Sequence, residues 1–156
     1  MTEADKKRIK PYLSKMAHYC SMQERAVYDV LLKLPSASLS EDDKDYIIEK
    51  LKKEGFLDEE RFARAFANDK FKLNHWGRIK IGYSLRMKQV DGAAIEEGLR
   101  QIDEHDYQNL LFSLASKKHK ETKSSSQQED NNKVARFLLQ RGFEPDLIWK
   151  VIQSLG

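Results

Sequence analysis

The chain contains a single cysteine, Cys20, which excludes an internal disulfide and a cysteine-built metal site. It has three prolines and seven glycines among 156 residues. Long stretches are therefore unbroken, which favours helix. No apolar run approaches the twenty residues of a membrane span, and Thr2 to Lys10 is strongly charged. Neither a membrane segment nor a secretory signal is expected, and the expected compartment is the cytoplasm. Sustained two-residue alternation is missing, so no strand is expected. Also missing are G-x-x-x-x-G-K-[ST], G-x-G-x-x-G, G-x-S-x-G and H-E-x-x-H. His18, His75, His105 and His119 have no His or Cys partner at metal-ligand spacing. The acidic pairs Asp42-Asp43 and Glu59-Glu60 fall at helix starts, where they complement the helix dipole without any catalytic task. The expectation is a non-enzyme with no catalytic residue, no cofactor and no metal.

What the chain does have is a repeat. Arg86-Met87-Lys88-Gln89-Val90-Asp91 is followed by Ile95, Leu99 and Ile102, and 53 positions on Leu139-Gln140-Arg141-Gly142-Phe143-Glu144 is followed by Ile148, Ile152 and Leu155. Ile81 and Val134, and Leu85 and Leu138, obey the same shift. A looser copy, Lys53-Glu54-Gly55-Phe56-Leu57-Asp58, is followed by Phe62 and Phe66. Units that cannot bury their own apolar face must stack on neighbours, which predicts an elongated, curved all-α array.

Local signals divide the chain into about nine helices. Pro11 suits a first turn, with that helix running to about Cys20. Ser21 and Glu24 have capping-box spacing ahead of Val27, Val30, Leu31 and Leu34. Ser40 caps a helix carrying Ile47, Ile48 and Leu51, and Gly55 can take the left-handed position after it. Asp58 caps the helix of Phe62, Ala63, Phe66 and Ala67, with both phenylalanines expected in the core. Asn74–Gly77 interrupts. Ile79, Ile81 and Leu85 mark a basic helix, and Asp91 caps a shorter one. Tyr107, Leu110, Leu111 and Leu114 share one face. Lys117 to Asn132 is poor in apolar residues and reads as a loop or frayed end, with Lys123 to Asn132 its most mobile part. Gly142 ends the next helix and Pro145 starts the last.

The net charge of +3 hides its distribution. Residues 61–88 hold eight basic residues against Asp69 alone, a net of +7, while the stretches on either side each carry −2. Such a basic middle attracts nucleic acid or an acidic protein groove. The candidate partner-binding residues are Arg64, Lys70, Lys72, Arg78, Lys80, Arg86 and Lys88. Arg61 is set aside because its place one turn after the Asp58 cap gives it a structural task. Phe62, Phe66, Phe71, Trp76 and Tyr83 are interleaved with these cations; Trp76 and Tyr83 can serve either the core or a stacking surface.

Gly55-Phe56-Leu57-Asp58-Glu59-Glu60-Arg61-Phe62-Ala63, Gly77-Arg78-Ile79, Ile95 with Leu99, and Arg141-Gly142-Phe143 followed by Ile148 occur in an order that resembles the RecX family, regulators of the RecA recombinase. The resemblance spans roughly Ser21 to Leu155. It departs at Glu59, where two successive aspartates are usual, at Lys88-Gln89, where a glycine is usual, and in the length of Lys117–Asn132. It implies three tandem three-helix repeats, here 1–57 with an N-terminal extension, 58–103, and 104–156 with a polar loop near 120–132. It also implies a monomeric, cytoplasmic protein of DNA repair, recombination and the SOS response. That protein would bind the RecA–DNA filament, with DNA contacts within it, and inhibit RecA ATPase, strand exchange and coprotease activities. The alternative is a stand-alone helix-turn-helix-like DNA-binding protein using Arg78 to Arg86 as its recognition helix.

Overall fold

The computed structural model describes residues 1–122 and 126–155. Among them are nine helices and no strand, in three consecutive groups. The first group is α1 (Glu3–Met22), α2 (Val27–Lys33) and α3 (Glu41–Lys53); the second is α4 (Glu59–Lys72), α5 (Arg78–Met87) and α6 (Gly92–Arg100); the third is α7 (Glu104–Glu121), α8 (Gln127–Gln140) and α9 (Pro145–Leu155). Each group packs chiefly within itself. No helix among the described residues is long and apolar enough to cross a membrane. The molecule exposes 9628 Å², against about 8,100 Å² for a compact monomer of its mass, as expected of a stacked array.

The caps explain most boundaries. Asp43 N donates to Ser40 Oγ and Ser40 N donates back to Asp43 Oδ2, at 3.1 and 2.9 Å. Asp58, Asp91 and Asp103 accept from the first turns of α4, α6 and α7. Gly55 and Gly142 adopt φ of +82° and +90° after α3 and α8. Gln89 takes the same left-handed conformation after α5, at φ +59°, a strained choice for a residue with a Cβ.

Four expectations need correction. Pro11 lies inside α1, which begins instead at a Thr2–Asp5 capping box. Ile9, Met16 and Cys20 are buried on both sides of the proline, and burial worth about 1.5–3 kcal/mol per large apolar side chain offsets one missing helical hydrogen bond. Ser21 does not cap α2; it ends within α1, and its hydroxyl donates to His18 O. Ala26 takes the cap position, with its N–H donating to Asp29 Oδ2 at 2.9 Å. The polar segment is largely helical. α7 continues to Glu121, and α8 begins at Gln127, where Ser126 Oγ accepts from Glu129 N. Buried Ala115 extends the Tyr107–Leu111 stripe on one side of the segment and buried Val134, Ala135 and Leu138 lie on the other, so the segment consists of the polar ends of two helices anchored by apolar residues outside it. Lys123, Ser124 and Ser125, the centre of that expectation, lie outside the described residues. Finally, the looser upstream copy is not a third equivalent turn. Gly55 joins α3 to α4 between groups, whereas Gln89 and Gly142 lie inside theirs.

The core is in two parts. The first group buries Ile9, Met16, Val30, Leu34, Leu39, Ile47 and Leu51 in a cluster of its own. The second and third groups share one cluster, in which the Phe71 ring stacks on Tyr107 at 5.8 Å and Tyr107 meets Phe143 at 5.3 Å. Phe62 belongs to it. Phe66 is only half-buried against it, because it borders an open cleft between the first two groups.

Candidate partner-binding surface

The basic stretch folds into α4 and α5. α4 turns Phe62, Ala63, Ala67 and Phe71 inward, which leaves Arg64 and Lys72 exposed on the outside. It lies close against α6 because Gly98 has no side chain; a Cβ there would stand 2.9 Å from Ala63 O. α5 buries Ile81, Gly82 and Leu85. No side chain caps its start. Instead its first N–H groups are satisfied from the third group. Gly77 N donates to Arg141 O at 2.7 Å, Ile79 N to Gly142 O at 2.9 Å, and Arg78 N to the Tyr107 hydroxyl at 2.9 Å. A helix terminus has orphan donors to satisfy, and here satisfying them docks one group on the next.

The seven candidate cations divide into two sets. Arg78 and Lys88 are committed within the protein. The Arg78 guanidinium lies 3.7 Å above the Tyr107 ring and pairs with Glu144 at 2.8 Å and with Glu104. Burial alone would lower its pKa, but the two carboxylates outweigh this and raise it. Tyr107 is fully buried; burial first, and then donation of its hydroxyl to Glu144, hold its phenol well above the usual range. Lys88 Nζ sits 2.7 Å from Asp29 Oδ1 and bridges to the first group. Arg61 does likewise, with its Nε 2.6 Å from Glu24 Oε2 and a second donation to Gly55 O.

The other five, Arg64, Lys70, Lys72, Lys80 and Arg86, form no ion pair among the described residues. Arg64, Lys72 and Arg86 are exposed. Lys70 and Lys80 are half-buried, with their ammonium groups 5.0 and 4.5 Å from the centre of the Trp76 ring. The ring's negative face holds both, which settles Trp76 as a support for charge packed on the shared core. Asp69 is the only acid between residues 61 and 88. The surface therefore keeps a net positive charge able to attract a polyanion.

Reading the sequence did not identify what lies between the cations. Ile79, Tyr83 and Met87 are 48, 59 and 60% exposed. In the sequence Ile79 groups with the inner stripe of Ile81 and Leu85, yet it points outward. Its signal was the separate i, i+4, i+8 register with Tyr83 and Met87. Elsewhere, Asp103, His105 and Asp106 approach one another but are all exposed, and Asp103 is already occupied in capping α7.

Known proteins resemble this chain along most of its length. The family model described as "RecX, second three-helix domain" matches residues 58–99, and "RecX, third three-helix domain" matches residues 105–152. The regulatory protein RecX of Clostridium botulinum (strain Eklund 17B / Type B) is 35% identical over 124 residues, which cover 78% of this chain and 58% of that protein. That of Oceanobacillus iheyensis is 29% identical over 138 residues, covering 88% and 51%. The chain thus spans about half the length of the curated relatives it matches. The crystal structure of RecX from Lactobacillus salivarius superposes with a TM-score of 0.86 at 26% identity, over 96% of this chain and 97% of that one.

Proposed function

The chain belongs to the RecX family, and from that premise we propose that it binds the RecA–DNA filament and inhibits its ATPase, strand-exchange and coprotease activities. The observation that carries the reading is the set of five unpaired cations on α4 and α5, Arg64, Lys70, Lys72, Lys80 and Arg86. A RecA–DNA filament offers phosphates and acidic protein side by side, and an unneutralised basic face is steered to both. Residues 58–103, the middle repeat, would make the contact, and the repeats on either side would extend it. A stand-alone helix-turn-helix reader fits less well. Its first recognition residue, Arg78, is held by Glu104 and Glu144, and the outermost line of α5 is apolar.

The test titrates the protein into a RecA ATPase assay on single-stranded DNA, with Arg64, Lys72 and Arg86 reversed together to Glu. Lys88 is left intact, because its reversal would break the Asp29 pair instead of probing the surface. Exposed substitutions usually change stability by no more than about 0.5 kcal/mol, so the fold should survive. Inhibition should weaken, and the slope of log affinity against log salt should fall by about one for each phosphate no longer neutralised. A folded variant with unchanged inhibition and salt slope refutes the assignment. Sequence-specific DNA binding without RecA favours the helix-turn-helix alternative.

A further inference from the structure

Ile79, Tyr83 and Met87 stand one turn apart along α5 and occupy an arc of about 80° at 3.6 residues per turn. Ile81 and Leu85 lie on the opposite side and are buried, so the three form the outermost line of the helix. Single exposed apolar residues, such as Leu73 and Trp149, are ordinary on a soluble protein. Three in register on a ten-residue helix are different, because the surface of a helix facing only water is polar. Lys80 falls on one side of this line and Arg86 on the other, and neither is ion-paired among the described residues. The arrangement is therefore an apolar ridge with a cation along each flank.

This pattern has the anatomy of an interface, with an apolar centre and a charged rim. Its complement is a concave apolar pocket bordered by carboxylates. Duplex or single-stranded DNA fits poorly, because the most protruding side chains would then meet phosphate and sugar while the cations stood aside. Resting on the reading above, we infer that the Ile79–Tyr83–Met87 ridge seats in an apolar pocket rimmed by acidic residues on the protein wall of the filament, with Tyr83 as the anchor. Buried tyrosines are among the residues that most often dominate interface energies. The ridge sets how long the complex lasts, and the surrounding cations set how fast it forms.

The two roles separate kinetically. RecA filaments assembled on immobilised single-stranded DNA, and the same DNA without RecA, are exposed to the wild-type protein, Tyr83→Ala, Tyr83→Phe and the triple reversal of Arg64, Lys72 and Arg86. Binding is followed at several salt concentrations, with circular dichroism to confirm folding. Tyr83→Ala should speed dissociation from filaments by about tenfold or more, equally at every salt concentration, and leave binding to bare DNA unchanged. Tyr83→Phe should restore the wild-type rate. The triple reversal should instead slow association, most at low salt. Dissociation of Tyr83→Ala within about twofold of wild type, where tenfold is expected of an anchor, overturns the inference. So does an equal loss on bare DNA, which would make the ridge a nucleic-acid contact. Self-association of the wild type that Tyr83→Ala abolishes would give the ridge to a second copy and also overturn it. Failure of the wild type to bind filaments at all refutes the functional reading itself, a result distinct from these three.

Discussion

Three glycine-to-alanine substitutions isolate what joins the second and third repeats. Gly55 and Gly142 both have left-handed backbones, at φ +82° and +90°, so alanine at either incurs the same conformational cost, about 1–2 kcal/mol. This is partly offset by the lower entropy of the unfolded chain. They differ in surroundings. Nothing lies within 4 Å of a Cβ at Gly55, whereas at Gly142 it would overlap Lys80 Cβ and lie 2.6 Å from the Lys80 nitrogen. Gly77 is the control of opposite kind. Its φ of −82° suits alanine, but a Cβ would stand 2.5 Å from Gly142 C and Phe143 N. Backbone cannot rotate out of the way, and overpacking of this sort costs about 1–3 kcal/mol or more. Urea unfolding followed by far-UV circular dichroism should therefore give about 1 kcal/mol for Gly55→Ala. Gly77→Ala should cost more, and Gly142→Ala the most, at about 3 kcal/mol or above, since it combines both costs. If Gly142→Ala costs no more than Gly55→Ala, the backbone contact between repeats does not hold them together, and the reasoning fails.

Tyr107→Phe should cost about 1–3 kcal/mol, because it leaves the backbone N–H of Arg78 without its acceptor and removes one of the two donors to the half-buried Glu144, whose other donor is the Arg78 guanidinium; a loss below about 0.5 kcal/mol, the range of ordinary surface changes, would show that water replaces the hydroxyl. Gln89→Gly should stabilise by about 0.5–1 kcal/mol by relieving a left-handed backbone, so a lower thermal midpoint would contradict the strain assigned there. Hydrogen bonds from Arg8, and then from the Ser40 backbone, hold Asp43 down at a pKa of about 2 against an ordinary 3.8. A lowered folded-state pKa means stability that is complete above about pH 4 and is lost as pH falls towards 2. The gap in thermal midpoint between wild type and Asp43→Asn should thus narrow across that window, and a gap independent of pH would rule the linkage out.

The parts of the fold legible in the sequence are those written in local chemistry. Ser40, Asp58 and Asp91 cap where their spacing places them, since a cap is decided within three residues. Gly55 and Gly142 turn left-handed for the same reason. Signals that depend on distant partners mislead. Pro11 has the look of a helix start, but its helix is held by Ile9 and Met16 against α3. The polar run before Asn132 has a loop-like composition, yet its described residues mostly continue two helices whose buried apolar residues, Ala115 and Val134, lie just outside it. Phe66 carries the same helical spacing as Phe62, but the cleft beside it is visible only in three dimensions. The candidate surface is partly readable for a related reason. Charge density is a property of the chain, whereas pairing is a property of the fold. Residues 61–88 are basic in sequence, but the acids that neutralise Arg61, Arg78 and Lys88 are Glu24, Glu104, Glu144 and Asp29, all outside that stretch.

That distribution of partners also makes the two junctions between repeats physically unlike. The second and third repeats are joined by the pairs of Arg78 with Glu104 and Glu144, but they also share an aromatic core and backbone hydrogen bonds at Gly77 and Gly142, interactions that salt does not weaken. The first repeat keeps its own core. It meets the second through Ala26, inserted into the shared cluster, and through the Glu24–Arg61 and Asp29–Lys88 pairs beside an open cleft of about 490 Å³. Partly exposed ion pairs contribute modestly and are screened by salt. The charge that makes α4 and α5 attractive to a polyanion is thus the same kind of charge that fastens the first repeat. With Arg61 and Lys88 committed to that junction, the cations without an ion pair are Lys80 and Arg86 beside the α5 ridge, Arg64 and Lys72 exposed on α4, and Lys70 at the cleft itself. The basic middle repeat thus owes its charge to the composition of residues 61–88, and the acids of the flanking repeats neutralise only Arg61, Arg78 and Lys88 of it.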